Sequence, residues 1–139
     1  MRLWHKDLIP VLPRQQLLGQ WRECCLIAKS IAEKGTPNHI LVNRIMNYPI
    51  EHFFWYCDVI RIEMQNRGYK CDEAKLLKWF RADMDFPLIF YSEIFKDWHN
   101  DRYLNQCLAN LQEKYDCGGI GICEYEKIVD FVKKKYGEV

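Results

Sequence analysis

The sequence predicts an all-α fold: a single compact domain, residues 1–139, of three to five helices with an extended N-terminal segment packed against them. Three observations carry that prediction. Apolar residues return every three or four positions through the long stretches, the period of a helix with one buried face. Glycine or proline stands at the ends of those stretches, where helices stop and start. With 49% hydrophobic and 14% aromatic residues, 139 residues can build one sizeable core and are too few for two ordinary domains.

Residues 1–12 read as an extended lead-in, with Pro10 and Pro13 bracketing a turn. Pro13 suits a helix start, because its missing N–H would have had no helical partner there. Leu17, Leu18, Trp21, Cys24, Cys25, Ala28 and Ile31 then keep helical spacing, a buried stripe along a helix of about 13–34. Gly35 offers a cap and Pro37 blocks continuation. Residues 36–50 form an irregular connector or a short helix. In "IEHFFWYCDVIRIEMQNRGY", Phe53, Phe54, Cys57, Ile60 and Met64 hold one face, while Trp55, Tyr56, Val59 and Ile62 make others apolar. Such a helix is buried on most sides, and Gly68 ends it.

A weaker helix covers 73–82, and "MDFPLIFYSEIF" stays open between strand, loop and a proline-started helix. Tyr103, Leu104, Cys107, Leu108, Leu111 and Tyr115 mark a clear amphipathic helix over 99–115. Gly118, Gly119 and Gly121 make a turn before a last helix over about 123–136, with Tyr125, Ile128, Val129, Val132 and Tyr136 inward. No internal repeat or low-complexity tract interrupts this order.

No run approaches the roughly 18 apolar residues of a membrane span. The opening "MRLWHKDLIP" puts charges and a proline where a signal peptide needs its apolar stretch, so a cytoplasmic protein is expected. The seven cysteines (24, 25, 57, 71, 107, 117 and 123) lack CxxC spacing, which argues against a zinc ribbon. Most fall on apolar helix faces and read as buried thiols; Cys117 and Cys123, flanking "GGIGI", are the pair that could bridge or share a metal. Residues 1–70 hold 10 Lys/Arg against 6 Asp/Glu, net +4, and residues 71–139 hold 10 against 13, net −3. A mildly basic N-terminal half is compatible with a polyanion without selecting one.

The stretch "RQQLLGQWREC" carries the chemistry. With Trp21 central in the buried stripe, Arg22 falls to one flank and Glu23 about 160° away. Gly19 shares that outward face, although glycine inside a helix costs about 1 kcal/mol relative to alanine. Leu26 and Ile27 lie beside Glu23 on the face that should be polar. Two readings stand: a solvated carboxylate with an incidental glycine, or a partly covered pocket that something approaches closely. Thirteen residues precede the helix, ample chain for the N-terminus to return to Glu23 across the roughly 15 Å rise of residues 14–23. α-Amines titrate near about 7.7–8.0, and an amine beside a carboxylate pairs a Schiff-base nucleophile with a proton carrier.

Other candidates are weaker. His39, after Pro37 and before Asn43, and His5, beside Trp4, could line a site; His52 and His99 read as caps or surface residues. Trp4 is read first as core and second as a platform for an unstacked base. The "KKKYGE" terminus reads as a solvated helix end whose cations suit the dipole.

The opening "MRLW", followed by "RQQLLGQWREC", resembles the pyrimidine-dimer DNA glycosylases of the phage endonuclease V family. Gln15, Leu17, Leu18, Trp21, Arg22 and Glu23 match the family's helix motif, with tryptophan for tyrosine. The likeness is strong over about 1–33, moderate over "HFFWYCDVIRIEMQNRGYKCD" and weak after residue 72. It implies a terminal amine that attacks a damaged nucleotide's sugar, with the glutamate matching Glu23 assisting strand cleavage. It implies phosphate-holding arginines at Arg2 and Arg22 and no metal or other cofactor, with Lys114 the nearest match to a further basic contact. Gly19, as room for close approach, and His39, in its connector, are added from the residues themselves as candidate DNA contacts. The partner implied is damaged double-stranded DNA, bound by a monomer. The family's amine belongs to a threonine exposed by removal of the initiator; aligning Arg2 with the family's arginine puts Met1 at that position. The basic positions of the family's third helix are thin here, Lys114 being the nearest match. A catalytically silent domain of the same fold, binding nucleic acid or protein, is the competing expectation.

Overall fold

The computed structural model describes residues 1–80 and 86–137. Among these residues there are five α-helices, three short 3-10 helices and no strand, so the chain is all-α. The helices are α1 (Arg14–Lys34), α2 (Ile50–Asn66), α3 (Glu73–Leu77), α4 (Asp101–Asp116) and α5 (Ile122–Tyr136). α1 packs on α2 and α3, and α4 packs on α5. Leu17, Cys24, Phe53, Ile60, Leu104 and Leu111 are fully buried in one continuous apolar core.

Local chemistry explains most boundaries. α1 follows Pro13 without a side-chain cap of its own; instead the Arg14 N–H donates to Glu124 Oε2 of α5 at 2.7 Å. A carboxylate from another helix thus satisfies one of the free N–H groups at that terminus. Gly35 closes α1 at φ 76°, a left-handed position that glycine takes without steric cost, and returns its N–H to Ile31. Asp72 caps α3 through Ala74, and Asn100 caps α4 through the Tyr103 N–H at 2.9 Å.

The lead-in differs from the expectation of an extended stretch. Residues Lys6–Val11 coil into a 3-10 helix, capped by His5 Nδ1 accepting from the Asp7 N–H at 3.1 Å. This turn packs on α2 and α5. Arg67, just past α2, holds it there by donating to the carbonyls of Leu12 and Ile9. A guanidinium with several donors in a planar fork suits that bridging of carbonyls.

Other expectations need correction. The weak helix ends at Leu77, and Arg81–Asp85, including part of the ambiguous "MDFPLIFYSEIF", lie outside the described residues. Phe86–Phe90 is irregular, followed by a 3-10 turn over Tyr91–Glu93. Residues 43–47 of the connector also form a 3-10 helix. Cys117 and Cys123 are exposed free thiols, and only Cys24, Cys57 and Cys107 are buried. Ile27 is core, whereas Leu26 and Tyr136 are exposed. His99 is neither cap nor surface: it is buried, and its Nδ1 accepts the Lys6 N–H at 2.9 Å.

Candidate active site

The N-terminus does return to α1. The Arg2 N–H donates to Glu23 Oε2 at 3.5 Å, and Gln20, one turn earlier, reaches the same oxygen at 3.5 Å. One peptide separates the Met1 amine from the Arg2 amide, at most about 3.6 Å, so the amine stays within roughly 7 Å of the carboxylate. Met1 is 42% exposed and Glu23 half-buried, so the carboxylate is partly covered.

Residues 2–4 are latched from three helices. Buried Gln20 accepts the Trp4 N–H at 2.7 Å and donates to the Arg2 carbonyl at 3.0 Å. From α2, the Tyr56 hydroxyl donates to the Trp4 carbonyl at 2.6 Å and reaches Gln20 Oε1 at 3.1 Å. From α4, the Tyr103 hydroxyl donates to the Leu3 carbonyl. Burial raises both phenols well above their usual range, so each stays a protonated donor. The amine therefore hangs from a segment whose backbone polar groups are held inside the fold.

Beneath this segment lies a second polar cluster. Lys6 is buried, its ammonium donating to the carbonyls of Ile94 at 2.6 Å and Ser92 at 3.2 Å. His5 and His99 lie beside it, their rings tilted by 31° with centroids 5.1 Å apart. Burial first, then the His5 and Lys6 charges, push His99 down to about 2, so it is neutral and can accept from Lys6.

Arg2 links the carboxylate to a cleft. Its guanidinium lies over the Trp4 ring, 5.4 Å from the centroid. The cleft, about 570 Å³, runs from Arg2 past Ile40, Leu41 and Arg44 to Gln106 and Asn110 of α4. A shallower depression of about 260 Å³ continues it, sharing Arg44 and Gln106 and adding Arg102. The 570 Å³ cleft falls in the range that holds a small ligand.

The expected site residues divide. Arg2, next to Met1, meets Glu23, and Arg22 lies against Gly19, one turn before Glu23 on α1. A Cβ on Gly19 would sit 3.8 Å from the Arg22 guanidinium, so that glycine's open space is partly taken by a flexible arginine. His39 sits behind the cleft: its Nδ1 accepts the Leu41 N–H at 3.2 Å. Lys114 is exposed on α4, one turn, about 6 Å, beyond Asn110 on the same face. His5 and Trp4 are buried structural groups outside the cleft lining.

Sequence reasoning missed Gln20, Arg44, Arg102, Gln106 and Asn110. Gln20 carried a signal, since a glutamine between Leu17 and Cys24 stands in the apolar stripe. Arg102, Gln106, Asn110 and Lys114 recur every four residues, a polar stripe beside the buried face of α4. Arg44 carried none, because only the fold brings its connector to α4.

The family model for pyrimidine dimer DNA glycosylase matches residues 1–77, the span holding the latched N-terminus, Gln20, Arg22, Glu23 and Tyr56. Comparison with curated proteins and with solved structures gives no match. More than half of the chain fits the family's pattern, and the chain belongs to the pyrimidine dimer DNA glycosylase family.

Proposed function

We propose that the protein is a DNA repair glycosylase with associated AP lyase activity on damaged, pyrimidine-dimer duplex DNA, with the Met1 amine as nucleophile and Glu23 as acid/base. The contact that carries this reading is the Arg2 N–H on Glu23, which keeps the Met1 nitrogen within roughly 7 Å of a half-buried carboxylate. The uncharged amine attacks C1′ of the damaged nucleotide, and the base leaves with the electrons of the glycosidic bond. The nitrogen gives up a proton to the departing base, its lone pair then opens the sugar by expelling O4′, which is protonated, and the resulting iminium acidifies the C2′ hydrogen. Glu23 takes that proton, the electrons expel the 3′ phosphate oxygen, and the strand breaks on the 3′ side of the lesion. Hydrolysis of the imine returns the amine.

Phosphates are held by Arg2 and Arg22, with Gly19 permitting a close backbone approach. On α4, Lys114 extends the track begun by Arg102. His39 acts through its loop, its Nδ1 being taken by Leu41. Extrusion of a nucleotide costs least at a damaged pair, which favours lesions without base-specific contacts.

Borohydride trapping tests the reading. Protein whose free Met1 amine has been verified by mass spectrometry is expected to give a covalent adduct with abasic duplex, and with irradiated duplex. Glu23→Gln should still form adduct but leave the strand uncut. Salt-sensitive binding with no adduct on either substrate would sink the enzyme reading and leave a binding domain.

A further inference from the structure

The connector before α2 makes a tight turn whose tip is two aliphatic side chains. Ile40 is 84% exposed and Leu41 50%, yet both line the cleft that begins at Arg2. The turn is over-determined. His39 N–H donates to Asn43 Oδ1 at 3.0 Å, and the N–H groups of Val42 and Asn43 return to the His39 carbonyl at 3.0 and 2.8 Å. The Leu41 N–H is held by His39 Nδ1, and Asn38 sits at φ 58°. Val42 and Ile45 are buried, anchoring the turn from below. The backbone hydrogen bonds of this turn thus hold Ile40 and Leu41 outward.

An apolar pair held in water beside Arg2 and Arg44 needs an occupant that is both apolar and anionic at this spacing. A base stack flanked by phosphates is one. Accepting the function proposed above, on which this rests, we infer that Ile40 and Leu41 form a wedge that enters the duplex at the damaged step. Aliphatic side chains inserted between base steps unstack them without reading sequence. The wedge fills the gap left by the extruded nucleotide, while Arg2 and Arg44 hold the phosphates on the cleft walls. The cleft then takes the nucleotide that has left the stack.

The test compares trapping rates on three abasic substrates: a fully paired duplex, a bubble with unpaired bases around the site, and a single strand. Ile40→Ser/Leu41→Ser is expected to slow trapping on the duplex roughly tenfold more than on the other two, because the bubble is already unstacked. Ile40→Val/Leu41→Met, which keeps apolar bulk, should restore the duplex rate. Ile40→Ser alone, at the more exposed of the two positions, repeats the test with Leu41 intact. Equal losses on all three substrates, or no loss, overturn the wedge and leave the patch as a general contact surface for DNA or for another protein. Wild-type protein that traps none of them overturns the proposed function, and this inference with it.

Discussion

Gln20 is the residue on which the N-terminal latch turns, and Gln20→Met isolates its contribution. Methionine has nearly the same length, fills the same space and removes every polar atom. The buried Trp4 N–H loses its acceptor at 2.7 Å, and the half-buried Arg2 carbonyl loses its donor at 3.0 Å. Tyr56 keeps a partner, since its hydroxyl still donates to the Trp4 carbonyl at 2.6 Å. An orphaned buried N–H costs about 1–3 kcal/mol, and a carbonyl that water can still reach costs less. Allowing for methionine's better burial, the net loss is about 2–3 kcal/mol. At about 2.1 cal/mol/K per residue, unfolding 139 residues carries an entropy near 0.3 kcal/mol/K, so the melting midpoint falls by roughly 8 °C. The latch also positions the amine, so the borohydride trapping rate at saturating abasic DNA should fall well below wild type at a temperature where both proteins are folded. A midpoint within about 2 °C of wild type, or an unchanged trapping rate in a folded variant, would refute the latch.

Acid should destabilise the fold through His99. The folded state holds this histidine near 2 while the unfolded chain titrates near 6.5, so the unfolded state binds the extra proton in between. Stability from this group is complete above pH 6.5 and is lost progressively as pH falls towards about 2, about 2 kcal/mol by pH 5. His5 and His52, lowered chiefly by burial, add to the same limb; urea unfolding of wild type and His99→Gln from pH 7 to 5 should show the variant with the flatter profile. Gly19→Ala meets only the end of Arg22 at 3.8 Å, so it should stabilise the free protein by about 1 kcal/mol while weakening duplex binding. A variant that is more stable and binds equally well would show that nothing approaches the helix there. Arg44→Ala and Arg102→Ala should each reduce the slope of log affinity against log salt by about 0.9, with no change in lesion preference.

Much of this protein was legible in one dimension because its helices are amphipathic and well punctuated. The period of α1 fixed its buried face, and Pro13 and Gly35 set its ends within a residue. Glu23 and Gly19 could be placed on an outward face for the same reason. The 3-10 coil at Lys6–Val11 was not legible, because beyond its local His5 cap it is held by Arg67, 55 residues from Leu12 in sequence. His99 was misread because its partner, Lys6, lies 93 residues away. His39 was singled out for its ring, whereas its structural use is to hold a turn.

The sequence by itself determined that a terminal amine could reach a carboxylate, since chain length and helix rise set that bound. Tertiary structure alone decided how residues 2–4, next to that amine, are held beside Glu23. Gln20, Tyr56 and Tyr103 converge from α1, α2 and α4 on three consecutive backbone residues, and no local pattern encodes such a meeting. The physical reason is that helical periodicity reports which face is covered, not which helix covers it. Burial then turns the meeting into a constraint, because polar groups deprived of water must find one another.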